Sequence, residues 1–233
     1  MSWALRLLVA AWLGAASGAA RAEELEMWHW WNQEFELSRK VSVVLHGQFR
    51  TVRPLHDFLQ GRVGPIVKFL ILPRTALVGG YYYRREPNGR SPGFGDSHRY
   101  FGGIVNNSFL RQRGALPPAL LETRFLTERF QDGPAGALTN YTRFRYRNRL
   151  SFREWKVSPL LGYEVFTFVR SFWGQRPLAG VRWRAHPRVM VNAGYFWDGR
   201  APRAGVQRHV LFTNLLIRFK RTPDTDLPKR PPF

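Results

Sequence analysis

Residues 140–153 read NYTRFRYRNRLSFR. Arg143, Arg145, Arg147 and Arg149 are followed, on the same spacing of two, by Ser151 and Arg153. The intervening positions are Thr142, Phe144, Tyr146, Asn148, Leu150 and Phe152. In a β-strand successive side chains point to opposite faces, so this alternation separates a cationic face from a mostly apolar one. On a helix the arginines would scatter around the axis. A soluble β-protein turns the apolar face to its core and the charged face to water. A membrane barrel does the reverse, with the apolar face toward lipid and the charged face toward the lumen.

Composition narrows the choice. The chain has 233 residues and no cysteine, so it has no disulfide framework, thiolate chemistry or cysteine metal site. Residues 1–22 read as a secretory leader. Arg6 precedes an apolar run from Leu5 to Ala16, and Ala20-Arg21-Ala22 fits a small-x-small cleavage site before Glu23. The run is short for a transmembrane helix, which needs roughly 20 residues. Removing the two leader arginines from the 36 basic residues leaves 34 against 16 acids, a net charge of +18 for the mature chain. Beyond the leader no apolar run is long enough for a helical span. Glycine and aromatics are frequent, and the expected domains are a leader at 1–22, one β-domain at 23–219 and a flexible, proline-rich tail at 220–233.

Eleven alternating segments can be marked: Met27–Leu37, Val41–Val52, Arg62–Leu72, Thr75–Glu86, His98–Asn107, Ala119–Phe130, Thr139–Arg153, Val157–Val169, Pro177–Ala185, Arg188–Asp198 and Gln207–Phe219. Most are longer than the 5–6 residues usual in globular strands and suit tilted bilayer-crossing strands. Short turns at 38–40, 73–74, 154–156 and 186–187 alternate with longer loops, as at the two rims of a membrane barrel. Aromatics crowd segment ends (Trp28, Trp30 and Trp31; Tyr81 to Tyr83; Trp155; Phe172 and Trp173; Phe196 and Trp197; Phe219), which suggests interfacial girdles. The fold expected is a single all-β, antiparallel up-and-down transmembrane barrel of ten to twelve strands. Bacterial barrels have even counts. The reading therefore leans to ten, with His98–Asn107 in a loop, or to twelve, with one strand unseen.

With the apolar face outward, the lumen receives Arg50, Arg124, Arg143, Arg145, Arg147, Arg149, Arg153, Arg182, Arg184 and Arg218. Glu34, Glu36, Glu122, Glu128 and Glu164 share that face. Isolated ions in a narrow lumen are costly to desolvate, and the planar guanidinium bridges carboxylates well. A network is expected to join Arg143–Arg149 to Glu122 and Glu128 on the preceding strand and to Glu164 on the next. It would fill and stiffen the barrel. The alternative is a cationic path or pocket for anions, and Arg153, Arg182 and Arg184 are the first to examine for arginines that remain unpaired.

At these residues the chain resembles a family, the bacterial outer-membrane proteins grouped as domain of unknown function 2490. The matching features are Glu122-Thr123-Arg124, Glu128-Arg129, the arginine alternation Arg143 to Arg149, Tyr163-Glu164 after a short turn, and the strand end Tyr81–Arg85. The resemblance covers most of residues 27–219. It implies an outer-membrane β-barrel and carries no established activity. The C-terminus departs from the pattern. Such barrels usually end on an aromatic of the last strand, which the barrel-assembly machinery reads. Phe219 fits, but 14 residues follow it, and the terminal Phe233 sits behind Pro231 and Pro232.

Other chemistries are weaker. An outer-membrane lipid-modifying enzyme needs a nucleophile beside a base. Ser42 and His46 share a face but stand four residues apart on one strand, roughly 13 Å by strand rise. His29 and His209 would neighbour each other if the first and last strands close the barrel, but no acid–base–nucleophile set accompanies them. No histidine spacing suits a metal, and no cofactor is expected. Nucleic acid is not an expected partner: no phosphate-binding loop is present, and a secreted chain rarely meets RNA. Arg85, Arg90, Arg99, Arg111 and Arg113 lie in or near loops and would meet anionic outer-membrane lipids, including lipopolysaccharide. The expected location is the bacterial outer membrane after leader cleavage.

Overall fold

The computed structural model describes residues 25–52, 57–87, 94–110, 118–132, 139–152, 155–169, 173–201 and 207–219. The leader, the tail, Arg90, Arg111, Arg113, Arg153 and Phe172 lie outside the described residues.

Eleven strands close into one barrel. They are β1 (Leu25–Glu36), β2 (Val41–Val52), β3 (Asp57–Leu72), β4 (Thr75–Pro87), β5 (Phe94–Leu110), β6 (Ala119–Asp132), β7 (Thr139–Phe152), β8 (Val157–Phe168), β9 (Trp173–His186), β10 (Val189–Ala201) and β11 (Gln207–Phe219). All eleven alternating segments are strands, and β2 and β11 keep their expected bounds. The lean to an even count is corrected. His98–Asn107 lies inside β5, which pairs along its length with both β4 and β6.

Consecutive strands pair antiparallel, while β1 pairs with β11 in parallel, with Leu25 opposite His209 and Phe35 opposite Phe219. This follows from the count. In a meander the strand direction reverses at each step, so an odd number leaves the first and last strands pointing the same way. The fully antiparallel expectation is therefore corrected at this one seam. His29 faces Thr213 in the seam, and their side chains hydrogen-bond at 2.8 Å. His209 is held instead by the Tyr195 hydroxyl at 2.6 Å, so the expected His29–His209 pair does not form.

The alternation sorts apolar side chains to the outside of the barrel and charged ones to its inside. Outward positions carry exposed apolar residues from nearly every strand, among them Leu45, Val67, Leu77, Phe125, Leu161 and Leu215. Inward positions carry Glu34, Gln48, Glu128, Asn192 and Asp198, all almost fully buried. The aromatic clusters divide. Trp31, Trp155, Trp173 and Phe219 are exposed outside, whereas Trp28, Tyr82 and Phe196 are buried and line the lumen with Trp30. The lumen-facing four therefore belong to no girdle. Trp28, Leu160, Phe196, Val210 and Phe212 form one apolar cluster inside the barrel, and Val78, Val105 and Leu126 form another. Glycines give these walls room to curve. A Cβ on Gly103 would meet the Phe125 carbonyl oxygen at 2.0 Å.

Candidate functional site: the cationic lumen

The arginine strand β7 sits between β6 and β8, so its inward face is flanked by carboxylates. Register places Glu128 opposite Arg143, Glu122 opposite Arg149 and Arg147 opposite Glu164. The ion pairs run largely on the diagonals. Glu128 binds Arg143, Arg99 and, at 2.9 Å, Arg145. Arg145 reaches across to Glu164 at 2.5 Å. Glu164 also binds Arg176 at 2.8 Å, and Arg176 binds Asp198 at 3.1 Å. A chain of alternating charge, Arg99–Glu128–Arg145–Glu164–Arg176–Asp198, thus crosses consecutive strands from β5 to β10. Glu122 holds Arg147 at 2.7 Å and Arg124 at 3.5 Å.

The expected network is therefore present through Arg143, Arg145 and Arg147, and it extends further than expected. The expectation that Arg99 meets lipid from in or near a loop is corrected. Arg99 is instead a buried lumen residue, since it shares the inward face of β5 with Ser97 and Phe101. Arg176 precedes the expected segment Pro177–Ala185, but β9 begins at Trp173, and Arg176 falls on the inward parity of Arg182 and Arg184. That parity was the sequence signal for it, interrupted by Pro177. Asp198, Glu26, Arg62, Lys68 and Arg208 were also overlooked. Lys68 and Arg218 converge on Glu34 at 2.7 and 3.2 Å, and Arg208 binds Glu26 at 2.8 Å.

Arg149 departs from the expectation. Its register partner Glu122 is already occupied by Arg147 and Arg124, and Arg149 makes no ion pair among the described residues. Arg182 donates to Ser151 Oγ at 2.5 Å and Asn192 Oδ1 at 3.2 Å, with no carboxylate in reach. Arg184 is not without a partner. Aromatic rings supply part of the missing compensation. The Arg143 guanidinium lies 4.9 Å from the centre of the Phe130 ring, and that of Arg176 lies 4.5 Å from Phe166.

Beside the network is a cavity of about 370 Å³. Twelve arginine and lysine side chains line it, against two carboxylates, Glu122 and Glu164. Ser42 and His46 do not form a catalytic pair. The Ser42 hydroxyl donates to Glu34 at 3.2 Å, and the His46 ring contacts Asn32 Oδ1 at 2.8 Å.

Comparison with known proteins gives the family. The family model described as "Protein of unknown function (DUF2490)" matches residues 25–208, from the first strand to the start of the last. The chain belongs to DUF2490. No curated protein and no solved structure matches this DUF2490 chain. The inward residues quoted for the resemblance, Glu122, Arg124, Glu128, Arg143 to Arg149 and Glu164, all lie in the matched span and in the lumen.

Proposed function

We propose that this DUF2490 protein is an integral barrel of a bacterial outer membrane, exported by its leader, with a structural or transport-associated role. The observation that carries the reading is the inversion of polarity. Apolar side chains such as Val63, Val67, Phe69 and Leu72 are exposed on the outside, and charged ones are buried within. In water such an exterior would aggregate, because contiguous apolar patches of this extent are rare on soluble monomers. Its partners are then outer-membrane lipids, including anionic lipopolysaccharide, and the barrel-assembly machinery. Arg39, Lys40, Arg74, Lys156 and Arg188 are exposed at the short-turn rim, and Arg85 lies near the end of β4 at the other rim; both sets suit anionic headgroups. Fractionation and heat-modifiable gel mobility test the proposal. The expected result is recovery with the outer membrane and a mobility shift on boiling. A mature chain that stays monomeric and folded in buffer without detergent sinks it.

A second reading is favoured by the twelve cations around the cavity. The lumen takes up anionic solutes, either as a pocket or as an anion-selective path. In planar bilayers, reversal potentials under a salt gradient separate these: anion-selective openings mark a path, and binding without conductance marks a pocket. A lipid-modifying enzyme is the remaining alternative, which lipase and acyltransferase assays on the purified barrel address.

A further inference from the structure

The wall formed by β2 and β3 brings buried amides together with arginines that have no ion pair among the described residues. Gln48 is 2% exposed and lines the cavity, yet among the described residues neither its amide nitrogen nor its amide oxygen has a hydrogen-bond partner. Its register partner on the same face is Arg62, and Arg50 stands two residues further along β2, opposite Gln60. Neither Arg50 nor Arg62 forms an ion pair among the described residues. The Arg50 guanidinium lies 3.5 Å from the centre of the Trp28 ring, and that of Arg62 lies 5.5 Å from Tyr82. The arginines acting on Arg62 are Arg99, Arg50 and Arg84, while Glu26 is the carboxylate that acts on Arg50. Glu86 is engaged by Arg84 at 3.3 Å and by the Gln60 amide nitrogen at 3.1 Å, and the Gln60 oxygen has no partner.

This wall has an unusual set of needs. Two guanidiniums present donors to an anion. Two buried amide oxygens, on Gln48 and Gln60, present acceptors and therefore call for donors. A simple oxyanion such as phosphate offers mainly acceptor oxygens to the arginines and only one or two P–O–H donors on one compact group for two separate amide oxygens, and an unmet buried polar group costs free energy. A molecule with hydroxyls close to its anionic group serves both. The aromatic faces of Trp28, Trp30 and Tyr82 line the same cavity. Its volume falls in the range of small-molecule sites, roughly 300–1,000 Å³.

We propose that Gln48, Gln60, Arg50 and Arg62 form a binding site for a small polyhydroxylated anion of the sugar-phosphate or sugar-acid kind. Arg50 and Arg62 hold the anionic group, and the two glutamine amides hold its hydroxyls. The site rests on the anionic-solute reading of the lumen and supplies the chemical class that the reading leaves open.

The test is calorimetric titration of the full mature chain refolded in detergent, with glucose 6-phosphate, gluconate, inorganic phosphate and glucose as probes. Glucose 6-phosphate or gluconate should bind about tenfold or more tightly than inorganic phosphate or glucose, as expected when charged and neutral hydrogen bonds act together. Arg62→Gln should abolish that binding. Gln48→Leu should lower affinity for the hydroxylated anion to that for inorganic phosphate. Arg129→Gln, on the outer face, should change neither. Heat-modifiable mobility of each variant separates lost binding from lost folding. Anions that bind the wild type and both lumen variants alike would overturn this site and leave the pocket reading standing. No binding of any anion to a folded barrel overturns both.

Discussion

At the scale of single residues the lumen is decided by which charges have partners. Glu128 is fully buried and is the shared acceptor for Arg99, Arg143 and Arg145. Glu128→Gln keeps the shape, leaves Arg99 and Arg143 without their counter-charge and leaves Arg145 with Glu164 alone. Breaking a buried ion pair from one side costs about 3–5 kcal/mol, so the urea midpoint of the detergent-refolded barrel should fall strongly. Arg149 is the contrasting case. Its charge is attracted by Glu122 and opposed by Arg147, Arg124 and Arg182. Arg149→Gln should shift stability by no more than about 0.5 kcal/mol, or raise it. Equal losses for the two variants would mean that the carboxylate network does not organise the interior. The sequence foretold Glu128 and Arg143–Arg147 as partners because strand parity alone puts them on one face. It could not foretell that Arg149 loses Glu122 to its neighbours, since that depends on where long side chains reach once the strands are in register.

The element that most needs testing is the β1–β11 seam, which closes the barrel in parallel. Its register places Gln33 opposite Ile217, both between inward positions. The chain has no native cysteine, so Gln33→Cys with Ile217→Cys gives a clean report. Opposed positions in adjacent strands lie within disulfide reach, with Cα atoms roughly 4.4–6.8 Å apart. Oxidation should link this pair efficiently and should link Gln33→Cys with Thr213→Cys poorly, as read by non-reducing gels of the folded protein. The reverse preference would show another closure. Residue-level features fit the parallel pairing: the rings of Phe35 and Phe219 stack with centroids 4.8 Å apart, and Asn32 donates to Asn214 at 2.7 Å. From the sequence the strands themselves were legible, including β5, because period-two alternation is local. Their ends were less so. β3 starts at Asp57 and β9 at Trp173, each inside a stretch that glycine or proline made look like loop.

For the whole molecule the odd count has a geometric consequence. β1 begins at the rim that carries the β2–β3, β4–β5, β6–β7, β8–β9 and β10–β11 connections, and β11 ends at the opposite rim. In the membrane-spanning reading, an epitope placed just after the leader and one placed after Phe233 should lie on opposite sides of the membrane. Antibody or protease access in intact and permeabilised cells should label one tag before permeabilisation and the other only after it. Access to both from one side would require an even number of crossings. The sequence by itself determined the all-β class, the sorting of apolar and charged faces, the number of alternating segments and the identity of the central carboxylates. All of these follow from side-chain period and composition, which are local. Only the tertiary structure decided the closing pair, the reach of the charge network through Arg99, Arg176 and Asp198, and the arginines left on the β2–β3 wall. Those depend on bringing distant strands into register around a closed ring, where each carboxylate can satisfy only the cations that geometry brings to it.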